Sequence, residues 1–396
     1  MEAHLYSWLS LLLRWSHFIV GVAWIGASFY FNWLENHLQR QGHPDDIEGD
    51  LWAIHGGGFY HLEKYSVTPG SLPGTLHWFK WEAYATWLSG FALLCVAFYA
   101  NARAFMIDPS VADISEPAAI AIGLVSLGLS WVVYDLACCS RLASRGNWLA
   151  ATILAWFVLL AWGLGEVLTG RAAYIHVGAA LGTIMVANVF RVIIPSQKEL
   201  VKALSGQRTP DAGKGALALQ RSRHNNYLTL PVLFIMISSH YPSTYGHEQA
   251  WLVLLGISLA GILIRHYFNI RHLHGTRLWP LAAALLLLAG LVLVTAPKQR
   301  TVQESVAGPA ATSVQAFAVI QKSCVSCDAE SPSNQAFTCA PLGIRLDSMD
   351  ALRLYAERVY NTTVINRTMT LGNLTRMTDE VRSTLANWFE NSPYNP

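Results

Sequence analysis

The sequence predicts an all-α, polytopic membrane helix bundle of about eight spans followed by a small helical domain, and three observations carry that prediction. Of its 396 residues, 53% are hydrophobic and only 13% are charged, a balance too apolar for an ordinary soluble chain. Apolar runs of bilayer-crossing length recur to about residue 296, separated by polar loops, so they exceed the single short stretch of a cleaved signal peptide. Beyond a Pro-, Ala-, Gly-, Ser- and Thr-rich stretch at 297–312, which reads as a linker, residues 313–396 are polar with a helical pattern. The net charge of +2 calls for no nucleic acid or other polyionic partner.

The runs that can cross a bilayer are Leu5–Leu34, Phe79–Ala100, Pro117–Ala137, Trp148–Leu168, Ala172–Ile194, Tyr227–Tyr241, Ala250–Phe268 and Leu278–Ala296. The sixth is short and interrupted by Pro231 and Pro242. Lysine and arginine concentrate in alternate loops: Lys198, Lys202, Arg208, Lys214, Arg221 and Arg223 after the fifth run, with Arg141, Arg145, Arg271 and Arg277 in two others. Because cytoplasmic loops are enriched in these residues, both termini are expected in the periplasm and the loop Glu35–Trp78 in the cytoplasm.

In the tail, helices are expected over Val314–Ser323, Asp347–Val364 and Thr378–Phe389, the last capped by Thr378 ahead of an acidic first turn. The first runs into Cys324-Val325-Ser326-Cys327-Asp328. Its cysteine spacing is that of a c-type haem attachment site, but Asp328 stands where the histidine ligand would be. Cys95, Cys138 and Cys139 lie in or beside apolar runs and read as small core residues.

Ionisable residues within apolar runs are costly unless they face a cavity, a partner or a cofactor. In the first run Arg14, His17, Gly21 and Ser28 share one helical face. His17, Glu166, His176 and His240 all fall toward the outer half of the bilayer. Two of these histidines on facing helices could ligate a b-type haem iron, or they serve only as hydrogen-bonding struts.

The inner side holds more chemistry. His55-Gly56-Gly57-Gly58-Phe59-Tyr60-His61 reads as a glycine-rich turn flanked by histidines, followed by Lys64 and by His77-Trp78-Phe79-Lys80-Trp81-Glu82. Arg191, Arg223-His224-Asn225-Asn226 and Arg265-His266 reach the same face. Arg221 and Arg265 read as lipid-headgroup anchors. The remaining residues suit a planar anionic heterocycle, with cations for its charge, asparagine for its edge and aromatic rings for its faces.

In the segments HGGGFYHLEK, LHWFKWEAYATWLSG, RSRHNNYLTLPVLFIMISSHYP and RWSHFIVGVAWIGASFYF the chain resembles the membrane-bound urate hydroxylase (urate oxidase) family. Members of that family carry about eight spans, a linker and a periplasmic cytochrome c domain, and the resemblance extends over nearly all of this chain. It implies a bacterial inner-membrane enzyme that oxidises urate to 5-hydroxyisourate and passes electrons through its cytochrome to a respiratory oxidase or soluble cytochrome. The resemblance does not assign roles to single residues; from their chemistry, Arg223 and Asn225, beside His224, are expected to hold urate. His55, His77 or Glu82 removes a proton, and Lys80 stabilises charge.

The resemblance also implies a haem c on Cys324 and Cys327, with Met369 as one axial ligand. The family's Met-Pro-Leu-Gly-Asn is Met369-Thr370-Leu371-Gly372-Asn373 here, Asp328 occupies the other axial position, and His274 is the last histidine of the chain. A Cys324–Cys327 or Cys327–Cys339 disulfide is the alternative fate of these thiols. Two further functions remain open: a haem-b electron-transfer or haem-handling membrane protein, and a non-catalytic accessory subunit with a pseudo-cytochrome tail.

Overall fold

Each of the eight apolar runs lies in a long helix. The computed structural model describes residues 2–66, 68–69, 71–272, 277–296, 311–334, 337 and 339–393; the expected linker, apart from 311–312, falls outside them. In chain order the membrane domain contains α1 (Glu2–His37), the hairpin strands β1 (Ile47–His55) and β2 (Gly58–Tyr65), α2 (Trp81–Ala97) and a short α3 (Ala102–Phe105). Then come α4 (Glu116–Cys139), α5 (Gly146–Gly165), α6 (Gly170–Ala187), α7 (Ile194–Ser205), α8 (Ala212–Ser238), a short α9 (Pro242–Tyr245), α10 (Ala250–Ile270) and α11 (Trp279–Val294). This is an all-α membrane helix bundle whose only described sheet is the two-stranded hairpin.

Six helical stretches are long and apolar enough to cross a membrane: His4–His37, Trp81–Phe105, Glu116–Cys139, Gly146–Gly165, Gly170–Ser205 and Ala250–Ile270. Two of the expected runs fall short for different reasons. At 1.5 Å per residue, the 16 residues of α11 rise only about 24 Å, less than a bilayer core of about 30 Å. By contrast α8 is long enough, with 27 residues, but its first half carries Lys214, Arg221 and Arg223. The expected sixth run, Tyr227–Tyr241, is therefore the apolar half of a longer helix. That helix starts at the Asp211 cap, whose carboxylate accepts from Gly213 N at 2.9 Å, and continues through Pro231 to Ser238.

Packing sets a hierarchy among the helices. Half of the most apolar window of α6–α7 is buried, against 6% of that of α1, so α6 runs through the middle of the bundle and α1 lies on its outside. Phe98, Met106, Ile107, Leu164, Leu168, Tyr174 and Val177 form the largest apolar core around the first turns of α6. Tyr6 O–H donates to the carbonyl of Val96, which places the start of α1 beside the end of α2.

The glycine-rich turn expected between α1 and α2 is the tip of a β-hairpin, which the sequence reading did not include. β1 and β2 pair in antiparallel register from Ile47↔Tyr65 to His55↔Gly58. Gly56 and Gly57 close the hairpin with φ of +59° and +80°, the double positive φ of a tight two-residue turn that side chains with a Cβ resist. Lys64 bridges Glu35 (2.7 Å) and Glu48 (2.8 Å), tying the hairpin to the end of α1.

In the tail, α12 (Ser313–Ser323) starts with a Thr312/Gln315 capping box, and α15 (Asp379–Glu390) starts behind the Thr378 cap. The expected middle helix breaks at Tyr355 into α13 (Met349–Leu354) and α14 (Ala356–Tyr360), followed by a wide turn, Asn361–Ile365. The tail seats on the end of the bundle opposite the hairpin. Phe337 meets Phe105 edge to face with centroids 6.5 Å apart. Gly372 lies so close to the bundle that a Cβ there would sit 2.7 Å from the carbonyls of Ala104 and Ile107, and its φ is +54°. Replacing Gly372 with Val should therefore unseat the tail: limited proteolysis in detergent should release it at least tenfold faster than from the parent chain, with the membrane domain intact.

Candidate functional site

Two buried arginines organise the hairpin end of the bundle. Arg221 of α8 is only 1% exposed. It pairs with Asp135 of α4 (2.8 Å), donates to Asn188 Oδ1 (3.3 Å), and lies 5.0 Å from the ring centre of Tyr134. Between α6 and α7 a wide helical turn, Asn188–Ile193, carries Asn188, which is fully buried. From there its amide donates to Tyr134 Oη (3.0 Å) and Asn225 Oδ1 (2.8 Å). Such turns re-aim side chains out of the regular helical register. Tyr134 Oη also lies 2.8 Å from His224 Nδ1, and Asn225 donates to the carbonyl of Met185 (2.9 Å).

The neighbouring residue, Asn226, faces the other way. Its Oδ1 accepts from Arg265 Nε and from Asn269 Nδ2 of α10, both at 2.9 Å, while its own amide nitrogen is buried without a partner. Arg265 stacks on Phe29 of α1, 4.1 Å from the ring centre. These contacts border a cavity of about 190 Å³ lined by Phe29, Trp33, Asn36 and His37 from α1 and by Arg265, Phe268, Asn269 and Arg271 from the end of α10. At its edge the rings of His37 and His272 are 3.8 Å apart, and Arg271 Nε contacts His272 Nε2 at 2.7 Å. His37 Nδ1 lies 2.7 Å from the carbonyl of Trp33. Because a carbonyl can only accept, Nδ1 is the donor of that contact and Nε2 is left for another partner.

The structure separates the residues proposed from sequence. His224 and Asn225 join the Arg221 network, but Arg223 points out of it and is exposed. His55, at the hairpin tip, and His77 are exposed as well, and no described contact brings them to either arginine. Lys80 precedes α2 with its amine 5.6 Å from the ring of Trp81, and Glu82 has one buried carboxylate oxygen without a partner. The headgroup-anchor reading of Arg221 and Arg265 is overturned: both are buried and hydrogen-bonded inside the bundle. Sequence reasoning passed over the other cavity residues, although Phe29, Trp33, Asn36 and His37 repeat at helical spacing, as do Phe268 and Asn269 with Arg265.

The three outer histidines are not gathered into one site. His17 Nδ1 contacts the Thr86 carbonyl and Ser89 Oγ of α2, each at 3.1 Å. His176 is fully buried, bonded to the Ala172 carbonyl (2.8 Å) and Tyr99 Oη (3.2 Å), and fills the notch left by Gly123. His240 is exposed beyond α8. The half-buried His17 and the buried His176 are thus each engaged by a neighbouring helix or by their own, the contacts that a hydrogen-bonding strut makes. Among the described residues no group of three or more His, Cys, Asp or Glu is gathered to hold a metal ion.

The tail does not fit a His/Met-ligated haem c. Cys324 is 6% exposed and packs with Ile320, Leu346, Leu352 and Trp388, and burial pushes its thiol up to about 12. Cys327 Sγ lies 3.4 Å from Asn334 Nδ2. All six cysteines are free thiols, so neither expected disulfide is present. Asp328, in the axial position, has its carboxyl raised by burial to about 6, and a carboxyl is a poorer ligand than imidazole for low-spin haem iron. Met369 is half-buried, and its carbonyl accepts from the buried Arg382 (2.9 Å).

Aromatic faces, guanidinium groups and amides thus line one cavity of an all-α membrane helix bundle. Residues 3–296 match the family described as Urate oxidase N-terminal, and the chain belongs to that family. No protein of curated function and no solved structure matches it.

Two outcomes follow from these groups. Asp135→Ala leaves Arg221 buried without its carboxylate and should lower stability by about 2 kcal/mol, less than for a fully buried pair because Asp135 is partly exposed; an apparent melting temperature in detergent reads it. Asp328 binds a proton more tightly when folded than at its ordinary value of 3.8. Its contribution is therefore full below pH 3.8 and is lost as pH rises toward about 6. The Asp328→Asn tail should lack that loss, seen as a flatter melting temperature between these pH values.

Proposed function

We propose that this chain oxidises urate to 5-hydroxyisourate at the hairpin end of its membrane bundle. The observation that carries the reading is the cavity between α1 and α10 in a chain of the Urate oxidase N-terminal family. Urate is a planar monoanion near neutral pH, with polar edges and two apolar faces. Arg265 and Arg271 supply charge, Asn36 and Asn269 supply edge hydrogen bonds, and Phe29, Trp33 and Phe268 supply ring faces. Arg265 spends its Nε on Asn226, leaving its terminal nitrogens for a two-point contact with a carbonyl edge. His37 is the proton acceptor, its Nε2 left for that role by the Nδ1 contact with Trp33.

Atoms and electrons balance as follows. Urate and water yield 5-hydroxyisourate, two protons and two electrons, and two one-electron acceptors of the cytochrome c class, soluble or part of a respiratory oxidase, take the electrons. No step is assigned to a haem on this tail, because its donor set does not fit one. The distribution of Lys and Arg supports a bacterial inner-membrane orientation with the hairpin end cytoplasmic and both termini periplasmic.

The test is steady-state urate consumption by the purified full chain with added cytochrome c. Arg265→Gln should raise KM by about 10- to 100-fold, the worth of one or two charge-assisted hydrogen bonds. His37→Gln should lower kcat with KM nearly unchanged, and Arg223→Ala should match the parent. Full activity in both Arg265→Gln and His37→Gln would overturn this site.

A further inference from the structure

At the tail-bearing end, three guanidinium groups lie on adjoining elements without an acid to answer them. Arg171, in the first turn of α6, has its Nε buried and without a hydrogen-bond partner. Its guanidinium carbon lies 5.8 Å from the ring centre of Phe98 and 5.9 Å from that of Phe105. Arg14 of α1 is close enough to Arg171 for mutual repulsion, and its Nε donates to Ser10 Oγ (3.4 Å). Arg103 of α3 has a buried Nη1 with no partner. Its segment adjoins the start of α6, where Thr169 N and Oγ1 bond to the carbonyls of Met106 and Phe105, both at 2.9 Å. Among the described residues, none of the three arginines makes an ion pair.

A guanidinium without an anion at membrane depth costs several kcal/mol. Arg221 and Arg265 meet that cost with Asp135 and Asn226, whereas Arg171 has aromatic faces and the Tyr245 phenol in range, and no carboxylate. Two like charges in range of each other make the unanswered arrangement dearer still. A phosphate would offer three or four acceptor oxygens to converging guanidinium forks. The direction from which one arrives is set by α1, whose Tyr6, Leu11, Arg14 and Trp15 are exposed on the outside of the bundle, where lipid lies.

We infer that Arg171, with Arg14, is a binding site for the phosphate of an anionic phospholipid, seated beside α1 at the tail-bearing end. The acyl chains follow the exposed apolar flank of α1 toward the bilayer centre, and the phosphate supplies the charge that the chain lacks here.

The full chain in detergent would be titrated with phosphatidylglycerol, phosphatidylcholine and inorganic phosphate, reading apparent melting temperature and lipid retained in native mass spectra. Phosphatidylglycerol should be retained at least tenfold more tightly than phosphatidylcholine and should raise the melting temperature, with inorganic phosphate giving no comparable shift. Arg171→Gln should abolish the preference, Arg171→Lys should keep part of it, and Arg145→Gln, exposed at the opposite end, should leave it intact. If Arg171→Gln does not fold, Arg14→Gln should weaken the preference in its place. Equal retention of the two lipids by the parent chain, an undiminished preference in the folded Arg171 or Arg14 variant, or full stabilisation by inorganic phosphate would each overturn the assignment.

Discussion

Two guanidinium groups must be satisfied inside the hairpin end of an apolar bundle, and adjacent asparagines on α8 divide that task. Asn225 turns toward α6 and, through Asn188, reaches Arg221; Asn226 turns toward α10 and holds Arg265 directly. Residues next to each other on a helix point about 100° apart, so one helix can serve two neighbours at one level. Removing either arginine would strand polar atoms in a region with little water to replace the lost bonds.

The two arginines nevertheless do different things. Arg221 is closed in by Asp135, Asn188 and Tyr134, and its network joins α4, the wide turn after α6, and α8. Arg265 is held at one nitrogen and borders a cavity, so it retains capacity for a ligand. A frame made rigid by the first can present the second at fixed geometry, which is what recognition of a planar anion requires. At the other end of the bundle, the tail closes on α3 and the turn around α9 through small-residue contacts at Gly372 and Gly246. Whatever chemistry occurs at the hairpin end, the tail reaches it only through the length of the bundle.

The long apolar helices were legible because hydropathy acts over whole segments, and a run such as 250–268 has few alternatives to a buried or lipid-facing helix. Helix starts in the tail were legible from Thr378, whose hydroxyl caps α15. Sequence could not tell which partner a charged residue finds. Arg265 lies near the end of an apolar run, as a headgroup anchor would, and only the arrival of Asn226 from α8 and Phe29 from α1 makes it an interior group. The same limit explains why Arg223 was favoured over Arg221: two positions along α8 turn the side chain to the opposite side of the helix. The hairpin was hidden by its composition, since Phe59 and Tyr60, read together with the histidines as part of a ligand-facing cluster, lie exposed on a two-stranded ribbon.

The central claim is that Arg265 recognises urate as a fork and not simply as a charge. Equilibrium binding of labelled urate to the solubilised full chain, compared with Arg265→Lys, measures this without dependence on any electron acceptor. Lysine keeps the charge but loses the planar two-point contact, so affinity should fall about tenfold or more, the worth of one hydrogen bond to a charged group. Unchanged affinity in the lysine variant, or no urate binding by the parent chain, would contradict the account.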